Sequence, residues 1–226
     1  MILFMKLFRR ILDFFNIHPD KNQRWTLSTL FIVGLLDAYV GPAISKAWVT
    51  ELPAEWLAFQ SLVYSVVGLF IGMIWKGMVR RWAIRWFTVL CIIESAAGFF
   101  VGMWLCFVEY NVWVLAIACL LYGTLVSEFI GKCLMTFRPK LWNEKEREIY
   151  DNNNDVVCGI YCIVGYLCAL LFMPSLKVAM FVWGLCCGID NIGWLVVYHK
   201  NREKFREVDK EAAKEFGWCD KEEDEL

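Results

Sequence analysis

Histidine and proline are scarce in this chain, with 2 and 5 copies in 226 residues, and no CxxC pair occurs. His18 and His199 stand far apart in sequence, so a zinc centre or a CxxC redox pair is not expected. There is no HExxH, nucleophile elbow or phosphate-cradling glycine loop. Neither histidine stands close to a cysteine inside an apolar run, which removes the pairing that a cysteine-type membrane peptidase needs. These absences argue against an enzyme and imply no cofactor. Net charge is also small, −1, so nothing points to nucleic acid as a partner.

What the chain has is apolar surface. Hydrophobic residues make up 59% of it and its mean hydropathy is +0.47, whereas a soluble domain sits near 45–50% apolar. Twelve Trp and seventeen Phe suit a bilayer, where aromatics anchor helices at the interfaces. Most of the ten cysteines lie within apolar runs and read as small hydrophobes rather than a disulfide framework.

The fold class expected is all-α: a polytopic membrane protein with six transmembrane helices and an N-terminal amphipathic interfacial helix. Residues 1–20 form that helix. Lys6, Arg9, Arg10 and Asp13 fall on one face and apolar side chains cover the rest. The same bases interrupt the apolar run, so no cleavable signal peptide is expected. Residues 24–200 hold the membrane domain, with spans near 27–48, 54–75, 86–107, 112–134, 156–173 and 177–198. A span needs roughly 20 mostly apolar residues. Residues 201–226 form a charged cytoplasmic tail, expected to continue the last span as a solvated helix.

Basic residues set the orientation. Lys21 and Arg24 join the N-terminal bases, Lys76, Arg80, Arg81 and Arg85 follow span two, and Arg138, Lys140, Lys145 and Arg147 follow span four. Only Lys46 and Lys177 occupy the other side. By the positive-inside rule both termini are cytoplasmic, in an integral protein of a plasma or inner membrane.

Ionisable groups within spans cost several kcal/mol when they face lipid, about 2.5–3.5 on insertion scales. Asp37 lies near the middle of span one, one turn before Gly41-Pro42, where a bend would free a carbonyl. Gln60 and Tyr64, at i and i+4, supply polar groups at similar depth in span two. Glu128 and Lys132 have the spacing of an ion pair within span four. Glu94 is followed by Ser95, Ala96, Ala97 and Gly98, a face suited to close helix packing, and Asp190-Asn191 reads as a polar contact that packs span six.

The stretch from Gly72 to Arg81 resembles the cytoplasmic loop of the major facilitator superfamily. Gly72, Arg80 and Arg81 fall in register, with Lys76 in place of the acid and Val79 in place of the second glycine. Arg138-Pro139, the run Asn143 to Arg147 and an entry led by Asp155 into span five are similar to such transporters too. The resemblance implies one six-helix half of a twelve-helix carrier, closed as a homodimer around a small-molecule or ion substrate. It also implies that spans one, two, four and five line the cavity. That favours Asp37, Gln60, Tyr64, Tyr122 and Glu128, with Lys132 beside them, over Glu94 and Asp190. Gly72, Arg80 and Arg81 become the conformational loop, and proton coupling is assigned to Asp37. The alternative expectation is a non-transporting module, for immunity, assembly or regulation. It would bind a partner in the bilayer or through the cytoplasmic tail.

Overall fold

The computed structural model describes residue 10, residues 19–121 and residues 126–215. These form helices and no strand: α1 (Lys21–Glu51), α2 (Ala54–Ile74), α3 (Gly77–Arg85), α4 (Phe87–Phe107), α5 (Val112–Leu121), α6 (Ser127–Leu141), α7 (Glu144–Leu171), α8 (Leu176–Ile189), α9 (Ile192–Lys200) and α10 (Arg202–Glu215). Five stretches are long and apolar enough to cross a membrane: α1, α2, α4, α7 and the α8–α9 run Leu176–Lys200. The expected fourth span is represented by the apolar α5 and by α6, on either side of 122–125. The interfacial helix expected over 1–20 falls almost wholly outside the described residues, as does the tail beyond 215.

The chain wraps around α1, which packs on α7, α8 and α9, while α4 packs most closely on α8. Between helices in lipid no hydrophobic effect acts, so close approach depends on small residues. A Cβ on Gly165 of α7 would come within 2.6 Å of the Ala38 methyl on α1. Gly184 of α8 is similarly placed, with Gly102 Cα of α4 at 3.0 Å from where its Cβ would stand. Among the described residues α2 packs loosely, touching α5 and α6 and leaving Leu62, Val66, Leu69 and Phe70 exposed.

At the end of the bundle that holds α3 and α10, the construction changes. Asp20 caps α1 through a box with Gln23, and Asn143 caps α7 through a box with Glu146. The two caps are tied together. Trp142 Nε1 donates to Asp20 Oδ2 at 2.8 Å, and Gln23 Nε2 donates to the Glu146 carbonyl at 3.2 Å. The Asn143 box also starts α7 well before the expected span at 156. Behind it Arg138 lies over the Tyr150 ring at 5.1 Å and reaches Asp151 at 3.5 Å.

Two expectations change here. The stretch 77–85, read as part of a loop, is the helix α3, which buries Ala83 and Ile84 against α6 and α10. The tail does run on as a helix with most of its described side chains exposed, but not as a straight extension of the last span. The chain breaks at Asn201, and α10 turns Phe205 and Val208 into the bundle, where both are buried. Phe205 stacks on Tyr198 at 5.1 Å and meets Phe137 at 4.2 Å. Water is the alternative solvent at this end, so burying such a ring is worth about 1.5–3 kcal/mol, enough to dock an otherwise charged helix.

Phe205→Ala is therefore expected to lower unfolding stability by about 3–5 kcal/mol, with the exposed Glu207→Ala as a control within about 0.5 kcal/mol. Thermal or denaturant unfolding in detergent would read this. Equal midpoints for both variants would show that α10 does not dock.

Candidate functional site

Asp37 stands on α1 with its side chain exposed, between the buried residues Phe31, Ala38 and Val40 on the rest of that helix. The helix runs on through Pro42, which has no N–H to give to the carbonyl four residues back. A Cβ on Gly41, one turn from Asp37, would meet nothing within 4 Å. This side of α1 is therefore open beside Gly41. Asp37 lies within electrostatic reach of Cys119 on α5, Tyr161 on α7, and Cys186 and Asp190 at the end of α8.

Gln60, Tyr64 and Gly68 succeed each other by four residues and form one face of α2. Gln60 Nε2 donates to Tyr64 Oη at 2.8 Å, and Tyr64 Oη donates to the Cys119 carbonyl at 3.2 Å. Gly68 faces Glu128 of α6: a Cβ there would lie 3.7 Å from Oε1. Cys119 thus links Tyr64 to the neighbourhood of Asp37. Of the expected residues, Gln60 and Tyr64 lie on the α2 face whose Gly68 meets Glu128 of α6, while Asp37 stands on α1.

The rest of the expected set is dispersed. Lys132 is half-buried one turn beyond Glu128, and among the described residues no ion pair joins the two. Tyr122 lies outside the described residues. Gly72 continues the Gln60–Tyr64–Gly68 face toward the end of α2, with open space beside it. Arg80 and Arg81 belong to α3 and are half-buried.

A second polar group stands behind the first. Glu94 of α4, 5% exposed, accepts hydrogen bonds from Ser127 Oγ of α6 and from Asn191 Nδ2, the latter at 2.7 Å to Oε2. Asn191 Nδ2 also reaches Ser95 Oγ at 3.3 Å. The chain interrupts its helix at Asp190-Asn191, between α8 and α9, and so turns the Asn191 amide inward. Glu94 also lines a cavity of about 400 Å³ between α4, α5 and α8, whose other walls include Ala97, Gly98, Val114 and Trp183. Asp190 lies within electrostatic reach of both Glu94 and Asp37.

Sequence reasoning gave Glu94 to helix packing and passed over Ser127 for its neighbour Glu128. One signal was available: a carboxylate, a hydroxyl and a carboxamide in three separate apolar runs are each costly alone and satisfied together. Searched against protein-family models, curated proteins and solved structures, the chain matches none.

Asn191→Leu leaves Glu94 buried with one donor removed, and is expected to cost about 1–3 kcal/mol. Glu94→Gln, which keeps an acceptor for Asn191, should cost less. Unfolding in detergent would compare the two. An Asn191→Leu protein as stable as wild type would show that the carboxamide does not serve Glu94.

Proposed function

We propose that the chain is half of a membrane transporter for a small solute, and that two copies close around a cleft at Asp37. The observation that carries this reading is the exposure of Asp37 itself. A carboxylate in the middle of a long apolar helix costs several kcal/mol against lipid, so the face that bears it requires a polar wall opposite. One copy provides part of that wall through Tyr64, Gln60 and Glu128. A second copy related by a two-fold axis would provide the remainder and exclude lipid.

In this reading α5 and α6 together form the fourth of six spans. Both termini and α10 lie in the cytoplasm of a plasma or inner membrane. Asp37 binds the solute or a coupling proton, and Gly72, Arg80 and Arg81 belong to the segment that moves when the halves rock. The kinship with one half of a major facilitator carrier remains part of the same proposal. A partner-binding module draws less from the geometry, because α10 uses Phe205 and Val208 to hold the bundle instead of displaying them.

The reading expects a dimer in nanodiscs by native mass spectrometry or mass photometry. It further expects solute-dependent flux in proteoliposomes carrying an internal pH dye, with Asp37→Asn abolishing that flux at unchanged expression. A strict monomer would overturn the shared cleft, and wild-type flux in Asp37→Asn would remove Asp37 from the mechanism.

A further inference from the structure

The outer side of α4 carries a groove unrelated to the Asp37 cleft. It measures about 420 Å³ and runs between α4 and the α8–α9 segment, with Ile92, Ala96 and Phe99 on one wall and Gly188, Ile192 and Leu195 on the other. Ser95 is its polar lining residue. Its cross-section and apolar walls suit a hydrocarbon chain, and its position on the outside of the bundle makes lipid the available source.

What distinguishes this groove from other lipid-facing surface is its cytoplasmic end. α3 and α4 are nearly one helix: Trp86 N donates to the Trp82 carbonyl at 3.0 Å, and Leu90 N donates to that of Trp86 at 2.8 Å. Trp86 itself leaves the helical range, with φ −94° and ψ 9°, and these two hydrogen bonds carry the turn across it. Arg85, Val89, Ile92, Ala96 and Phe99 follow one another by three or four residues and share a face. Arg85, which is exposed, stands about 10 Å before Ile92 along the axis, at 1.5 Å per residue. Across the groove Ile192, Leu195 and His199 repeat the pattern on α9, with His199 exposed at its end.

The segment Lys76 to Trp86 holds four bases and no acid. Trp82 and Trp86 are 46% and 49% exposed there, as residues that sit among lipid headgroups commonly are. A guanidinium presents paired donors to a phosphate, and basic side chains beside a membrane span draw anionic lipids of the cytoplasmic leaflet.

We propose that this groove is a binding site for an anionic phospholipid, with an acyl chain along Ile92, Ala96, Phe99 and Ile192 and the phosphate held at Arg85 and His199. The charge is what selects the lipid: the walls accept any acyl chain, and Arg85 favours a headgroup of net negative charge over a zwitterion.

The test uses the full-length protein, released from mixed phosphatidylglycerol and phosphatidylcholine nanodiscs into native mass spectrometry. Wild type is expected to retain phosphatidylglycerol about fivefold over phosphatidylcholine, the ratio that about 1 kcal/mol for one basic residue gives. Arg85→Gln should bring that ratio close to one without changing the fold. Equal retention of both lipids by wild type, or an unchanged preference in Arg85→Gln, would overturn the proposal. A phosphatidylglycerol bearing a diazirine on its acyl chain tests the groove without any variant. Labelling is expected on Ile92 to Phe100 and Leu185 to Leu195, and labelling confined to other faces would refute the site. Glycerophosphoglycerol, the headgroup alone, should not compete; full competition by it would show a phosphate site independent of lipid.

Discussion

A carboxylate placed in the apolar middle of a helical bundle has to be satisfied by protein, since lipid offers it nothing. Glu94 obtains its donors from Ser127 and Asn191, and so joins α4 to α6 and to the start of α9. Much else in the bundle depends on that joint. The Asn191 amide reaches inward because the helix is interrupted at Asp190-Asn191, and the interruption divides the last apolar stretch into α8 and α9. α8 then packs along α4 at Gly102 and Gly184, while α9 carries Gly193 against Thr29 and the Trp25 carbonyl of α1. A hydrogen bond in low dielectric is strong, and it costs correspondingly more to leave unmade. The polar joint therefore sets the register in which the small residues meet.

The bundle is held by different forces at different depths. Within the apolar span lengths, association rests on close backbone approach and on a few hydrogen bonds, because moving a leucine from lipid to protein gains little. At the end built from α3, α10 and the caps of α1 and α7, burial from water returns as a driving force. There the aromatic rings of Phe87, Phe137, Tyr198 and Phe205 converge, and Trp142 stacks on Tyr150 at 4.8 Å. Rings at that end also hold cations, Arg138 over Tyr150 and Lys200 over Trp25 at 4.8 Å.

The same division explains what could be read from the residues alone. Apolar runs of bilayer length are a local property, so the long helices were legible, as was the Gln60–Tyr64 pair at i and i+4. The partners of Glu94 were not legible, since Ser127 lies 33 residues away and Asn191 lies 97 away, and no local pattern joins them. Nor was the docking of α10, where Phe205 and Val208 are isolated apolar residues in a run of charges. Of the rings that receive Phe205, Tyr198 stands on the preceding helix but Phe137 comes from the distant α6. The Glu128–Lys132 spacing permitted an ion pair, but the position of Gly68 gives the carboxylate room against α2 instead.

The two carboxylates of α1 and α4 thus pose opposite problems and find opposite solutions. Glu94 is enclosed and is answered within one copy by a hydroxyl and a carboxamide. Asp37 is exposed on α1, and among the described residues no hydrogen bond or ion pair answers it within one copy. If folding alone accounted for Asp37, the sequence would have done better with an apolar residue at that position, for the helix it stands on is otherwise well packed against α7 and α8. On an open face it is a cost to the single copy, because a carboxylate set against lipid goes unsatisfied.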